Sequence, residues 1–177
     1  MQMREEDHAR LARGVVLMNV ITCPEPLDFS APSVFLAGGI VGCRDWQADM
    51  IAALDGTDCA ILNPRRPSFP IHDPKAAPEQ IEWEFNALRR ADVISFWFSS
   101  ETVQPIVMFE YGYWMAATSH WWAKKPVLVG CDPEYPLRLD VEHQTRLARE
   151  GLPISGNIGD LAARIKDAIK ATHRRQQ

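Results

Sequence analysis

The chain has 177 residues, 46% hydrophobic and 24% charged, with a formal net charge of -4. That length suits one domain able to bury a core of its own, and the composition excludes a disordered or fibrous chain. No run of Lys and Arg forms a track: Arg65-Arg66 and Lys124-Lys125 are isolated pairs and Arg174-Arg175 is a solvated end, which argues against long nucleic acid but leaves room for a small anion held by one or two arginines.

Targeting and metal signals are equally thin. Residues 1–13 are charged and lack the apolar centre of a signal peptide, so they are expected to form a loose leader ahead of one domain over residues 14–177. No stretch reaches the roughly 18 uninterrupted apolar residues of a membrane span. Cys23, Cys43, Cys59 and Cys131 stand far apart, without a C-x-x-C pair or nearby histidines, so the expectation is buried free thiols in a reducing cytosol, with neither metal nor cofactor.

Along the chain, residues 15–22 form the first strand, possible at a sheet edge, and Pro24, Pro26 and Pro32 then make an irregular connector. Residues 33–37 are a short apolar strand feeding Gly38-Gly39. Asp45 caps a helix carrying Trp46, Met50, Ile51 and Leu54. Residues 59–62 are a buried strand closing on Asn63-Pro64-Arg65-Arg66, and the proline-rich loop to Pro78 is long enough to serve as a lid. A helix over 78–90 places Ile81, Phe85 and Leu88 on one face. A strand over 93–98, a helix from Pro105 to about Ser119 and a strand over 126–130 follow. The remainder reads as a helix near 141–149, an extended piece at 152–154 and a last helix over 158–172. Strands alternating with helices predict an α/β, doubly wound parallel sheet with helices on both faces. In such sheets ligands gather at the strands' carboxyl ends, which selects the loops 38–44, 63–78, 99–104 and the one from Cys131 onward.

Chemistry concentrates in a few residues of those loops and their flanks. Between Thr102 and Ala123, Glu110 is the single Asp, Glu, Lys or Arg; on a helix it shares a face with Ile106, Phe109, Tyr113 and Ala117, so it is expected on the buried stripe. A carboxylate there is costly unless paired or needed. Gly38 and Gly39 permit close backbone approach by a ligand or simply make a tight turn, and the six-residue dinucleotide fingerprint is missing. Arg65 and Arg66 meet a phosphate or a sugar hydroxyl, or else are solvated. Of Glu82 and Glu84 only one can face the sheet, and Glu84 precedes Phe85 and Leu88.

The ordered set Val34-Phe35-Leu36-Ala37-Gly38-Gly39-Ile40, Trp46-Gln47, Asn63-Pro64-Arg65-Arg66, Trp83-Glu84, Pro105-Ile106 and Glu110-Tyr111-Gly112 resembles nucleoside 2-deoxyribosyltransferase-like proteins, over about residues 15–144. The resemblance implies a flavodoxin-like, three-layer α/β/α domain and a small-molecule partner, a nucleoside or nucleotide. It implies that Glu110 is the nucleophile and that Glu84 stands where an aspartate contacts the base. Phe35, Asn63, Trp83 and Gln104 join Gly38, Gly39, Arg65 and Arg66 as expected substrate contacts. Phe35 replaces a tyrosine that hydrogen-bonds the nucleophile, and Gln104 replaces an aspartate or serine. A homodimer or higher oligomer is implied too, supported by Trp114, Trp121 and Trp122, which one small domain struggles to bury.

Cleaving an N-glycosidic bond makes the anomeric carbon oxocarbenium-like, so one carboxylate must meet that charge while a second acid protonates the leaving base. Glu110 and Glu84 are expected in those roles, with Asp73 in the lid loop as a reserve acid. Two other readings stay open: a nucleotide-binding or sensing module without turnover, and a hydrolase of another N-ribosyl nucleotide.

Overall fold

The computed structural model describes residues 18–120 and 125–176; the expected leader, the start of the first strand, Trp121 and Trp122 lie outside them. Six strands, β1 (Asn19–Thr22), β2 (Ser33–Gly38), β3 (Ala60–Asn63), β4 (Val93–Phe98), β5 (Val127–Cys131) and β6 (Ile154–Ser155), alternate with five helices. These are α1 (Trp46–Ala53), α2 (Ala76–Arg90), α3 (Pro105–His120), α4 (Arg138–Ala148) and α5 (Ile158–Gln176).

Every strand pairing is parallel and the order is β1-β3-β2-β4-β5-β6. From β3 onward this is the flavodoxin-like order, with β1 added outside β3. The expected doubly wound, three-layer α/β/α domain is therefore present.

Strand alternation sorts the core into two clusters. Val34, Leu36, Ile61, Val93 and Trp97 point to one face, where they meet Trp46, Met50 and Leu54 of α1 and its surroundings and Leu161, Ile165 and Ile169 of α5. Phe35, Ala37, Leu62, Ile94, Phe96 and Phe98 point to the other, against Trp83, Ala87 and Leu88 of α2 and Val107, Tyr111, Trp114 and Met115 of α3. Val141 of α4 joins the second cluster. The six residues of β4 are all buried, as a central strand covered on both sides requires.

Local signals explain most helix boundaries. The Asp45 carboxylate accepts from the Ala48 amide at 3.0 Å and caps α1. Pro105 opens α3 where its missing N–H costs nothing. Lys125 Nζ donates to the Leu88 and Arg89 carbonyls and satisfies the end of α2. α2 and α4 begin two and three residues before their expected starts; α4 gains the Arg138–Glu142 ion pair at 2.7 Å, one helical turn apart.

Two expected helix faces are corrected. On α2 the buried residues are Ala76, Trp83, Ala87 and Leu88, while Ile81 and Phe85 are exposed. On α3 the buried stripe is Val107, Tyr111, Trp114, Met115 and Thr118, while Ile106, Phe109 and Tyr113 are exposed, Phe109 by 74%. Glu110 lies at the border of that stripe instead of within the face first assigned. Both helices are apolar on more than one side, so hydrophobicity alone does not orient them.

Candidate active site

β2 is flanked by β3 on one side and β4 on the other; the chain runs from β2 out to β3 and then crosses back past β2 to β4, so the winding direction reverses here. A crevice must open at the carboxyl ends of β2 and β4, where such folds hold ligands. A cavity of about 380 Å³ sits there. Phe35, Ala37 and the turn Gly38 to Val41 form one wall; Thr102 to Gln104 and the first turns of α3 form another, and Glu84, Glu110 and Pro64 complete it.

Close packing holds the two wall-forming turns together. Gln104, 5% exposed, accepts from the Gly39 amide at 3.1 Å through Oε1 and donates through Nε2 to the Ser99 carbonyl and hydroxyl at 2.9 and 3.0 Å. A Cβ on Gly39 would lie 2.5 Å from Cys43 Sγ and 2.7 Å from Gln104 Cδ. A Cβ on Gly38 would lie 2.4 Å from the Trp46 ring and 2.5 Å from the Trp97 carbonyl. Neither glycine has positive φ; both are required by side chains packed against the backbone. Gly38, Gly39 and Gln104 all line the cavity, and Gln104 spends both ends of its amide on the protein.

Glu110 and Glu84 both face the cavity. Among the described residues no donor hydrogen-bonds the Glu110 carboxylate. Burial, followed by the nearby Glu84 charge, raises its pKa from the ordinary 4.5 to about 7. Glu84 is also raised by burial, but it accepts from Gln80 Nε2 at 2.6 Å, and that bond and the Arg66 charge pull it back. The two acids thus differ in support: one is held by a network, the other is left bare. Phe35, 1% exposed, lines the cavity and packs tilted against Trp83 at 6.4 Å; its ring supplies no hydroxyl to Glu110.

Four of the expected contacts do not line the cavity. Arg65 donates to Gln47 Oε1 at 2.8 Å and to the Arg44 carbonyl at 2.9 Å, and pairs with Asp45 at 3.3 Å. Arg66, with a side chain 6% exposed, donates to Gln80 at 2.7 Å and pairs with Glu79 at 2.8 Å. Asn63 accepts from the Arg65 amide. Trp83 donates to the Glu25 carbonyl at 2.7 Å and belongs to the core. Arg65 and Arg66 follow β3 directly, and their side chains fold back onto the α1 region and the start of α2. Asp73 is likewise remote, its carboxylate accepting from the Lys75 amide.

The residues not singled out in the sequence are Val41, Thr102, Val103, Val107 and Gln80. The first three lie in the selected loops, so the signal was at the level of the loop. Gln80 lies one helical turn before Glu84, and that spacing could have found it; it bridges Glu84, Arg66, the Pro64 carbonyl at 2.7 Å and Cys23. Among the described residues, no group of three His, Cys, Asp or Glu could hold a metal ion, and no helix is long and apolar enough to cross a membrane.

A family model described as nucleoside 2-deoxyribosyltransferase like matches residues 31–135, more than half of the chain and every element that contributes to the cavity. No curated protein matches the chain.

Proposed function

The chain belongs to the nucleoside 2-deoxyribosyltransferase-like family, and on that premise we propose that it cleaves or transfers at the N-glycosidic bond of a nucleoside or nucleotide, with Glu110 as nucleophile. The observation that carries this reading is the Glu110 carboxylate: half-buried, facing the cavity and without a hydrogen-bond partner among the described residues. Such a group is costly in the empty protein. It is stabilised when a cationic centre forms beside it, as the anomeric carbon does while the base departs.

Glu84 across the cavity delivers the proton to the leaving base. Its bond to Gln80 fixes the carboxyl group, and Arg66 holds Gln80 in turn. Gln104, Gly38 and Gly39 hold the cavity's two walls at a fixed spacing, and Phe35 presents a flat apolar surface toward the ligand. Arg65, Arg66, Asn63 and Trp83 act by positioning these elements.

One observation favours the reverse division of labour. The carboxyl raised to about 7 is Glu110, while Glu84 is partly held in its charged form by Arg66, so at neutral pH Glu110 is the readier proton donor. The pH dependence of base release separates the two assignments. A nucleophilic Glu110 loses rate as pH falls through about 7; an acidic Glu110 loses rate as pH rises through it. Trapping with a 2-fluorinated nucleoside, read by mass, then identifies the residue that carries the sugar.

A second copy of the chain completes the picture. Ile106, Phe109 and Tyr113 of α3 and Ile81 and Phe85 of α2 are exposed apolar residues on neighbouring helices beside the cavity, an area that a partner of the same sequence covers.

A further inference from the structure

The Gln80 amide can be oriented in only one way. Its Oε1 accepts from Arg66 Nε at 2.7 Å and from the Cys23 thiol at 3.0 Å. Its Nε2 is the end left for the Pro64 carbonyl at 2.7 Å and Glu84 Oε1 at 2.6 Å. A flipped amide would set nitrogen against a guanidinium and oxygen against a carboxylate. Glu84 is therefore always offered a donor, which favours its charged form, and the Arg66 charge acts in the same direction.

That orientation bears on the chemistry. A neutral base needs a proton as it departs, so the proton must sit on Glu84 while Glu110 is ionised to meet the anomeric carbon. Yet Glu84 is the acid supported in its charged form. Glu110, pushed up to about 7 by burial and then by the Glu84 charge, is the one that keeps a proton longer. For a neutral leaving group the pair holds its proton on the wrong carboxyl. A cation in the cavity instead favours both acids in their ionised form. The rest of the lining suits such a ligand. Phe35 offers an aromatic ring, which attracts a cation, beside the apolar Ile40, Val41, Val103 and Ile106. Among the described residues no Lys, Arg or His lines the cavity.

We infer that the site is matched to N-glycosides whose heterocycle carries a fixed positive charge, such as a pyridinium or an N7-alkylated purine. The inference rests on the glycosidic reading above and names the leaving groups that reading fits best. When the bond from C1′ to the ring nitrogen breaks, its electron pair passes to the heterocycle and cancels the positive charge. The base leaves neutral and no proton is required. C1′ bonds to a Glu110 oxygen, and water then displaces that oxygen, releasing one proton to solvent. For neutral bases Glu84 keeps its role as proton donor, in a less favoured protonation state.

The unmodified protein is tested first, at pH 7.5, for release of free base from N7-methyl-2′-deoxyguanosine and from 2′-deoxyguanosine, with spontaneous release subtracted. The methylated nucleoside is expected to show a kcat/KM roughly a hundredfold higher, the advantage of dispensing with the acid. A charged base is also the better leaving group in water, so binding is measured apart from turnover. 1-Methylnicotinamide and 3-methylbenzamide share one shape and differ by a positive charge. The cation is expected to bind roughly tenfold more tightly at pH 8. Its affinity should fall roughly tenfold between pH 8 and pH 6, as Glu110 takes up a proton at about 7 with Glu84 the charged group beside it. The neutral amide should show no such trend, and Glu110→Gln should remove both the preference and the pH dependence. Base release no faster from the methylated nucleoside overturns the inference, as does equal binding of the two amides or a preference that survives Glu110→Gln. If neither nucleoside releases base, the glycosidic reading fails, and the amides still decide whether the cavity selects positive charge. Tighter, pH-dependent binding of the cation upholds that selection; no binding by either overturns it.

Discussion

The two faces of the sheet are finished differently. On the α1/α5 side, the helices bury Trp46, Met50, Leu161, Ile165 and Ile169 and turn charge outward, with Asp167 and Lys170 in solvent. On the other side, α2, α3 and α4 bury an equally apolar stripe but also leave Ile81, Phe85, Ile106, Phe109, Tyr113, Leu139 and Leu147 exposed. That same side holds the cavity and the unpartnered Glu110. The first face covers its apolar residues with its own helices; the second leaves apolar side chains and a bare carboxylate open, and the proposed reading places ligand and partner there.

The comparison breaks most sharply at Glu110. Glu110→Gln is expected to lower base release by roughly a thousandfold or more, because the amide cannot meet the developing cation. Stability should rise, and the sign follows from the pKa. A carboxyl raised from 4.5 to about 7 is best tolerated when neutral, so its favourable contribution is complete below about 4.5 and lost as pH rises through about 7. The gain in melting temperature for Glu110→Gln should therefore be larger at pH 8 than at pH 5. An active variant, or a less stable one at pH 8, contradicts this account.

On the finished face the outcome inverts. Met50→Ala, at a fully buried position, should cost about 3 kcal/mol of stability while the folded fraction keeps its kcat; urea unfolding and active-site-normalised rates check both. Glu84→Gln should come next, with base release reduced about a hundredfold and the effect smallest for leaving bases that need no proton.

The outer face of α3 gives the smallest effect on the protomer. Phe109→Glu should change its unfolding free energy by only about 0.5 kcal/mol, as at exposed positions elsewhere, yet dissociate the assembly. Light scattering should report the 20.0 kDa protomer for the variant and a larger species for the unmodified chain. A 20.0 kDa species for both would leave the exposed residues without a partner.

Much of this fold was legible in the sequence because each central strand is a short apolar run bounded by turn residues, and parallel sheets demand such runs. The residues 33–38 and 93–98 show it plainly, and the rule for carboxyl ends then found the loops that form the cavity. The helix faces were harder. In α2 and α3 an outward apolar residue such as Phe85 or Phe109 carries the same signal as a core residue, and no periodicity separates burial in the protomer from burial against a partner. The arginines were ambiguous for another reason: a guanidinium next to a strand end is equally suited to an anion and to its own chain's carbonyls. Only the positions of Gln47, Gln80 and the Arg44 carbonyl decide between them.

The pairing of α1 with α5 also sets an order of events during synthesis. Trp46, Met50 and Leu54 leave the ribosome well before their cover, Leu161, Ile165 and Ile169, which lies far downstream in the chain. Until then one side of the nascent sheet stays open to water and to chaperones. The cavity, whose lining ends at Glu110, draws on elements made before that cover. A ribosome stalled before residue 158 would thus carry a formed cavity on an unfinished domain.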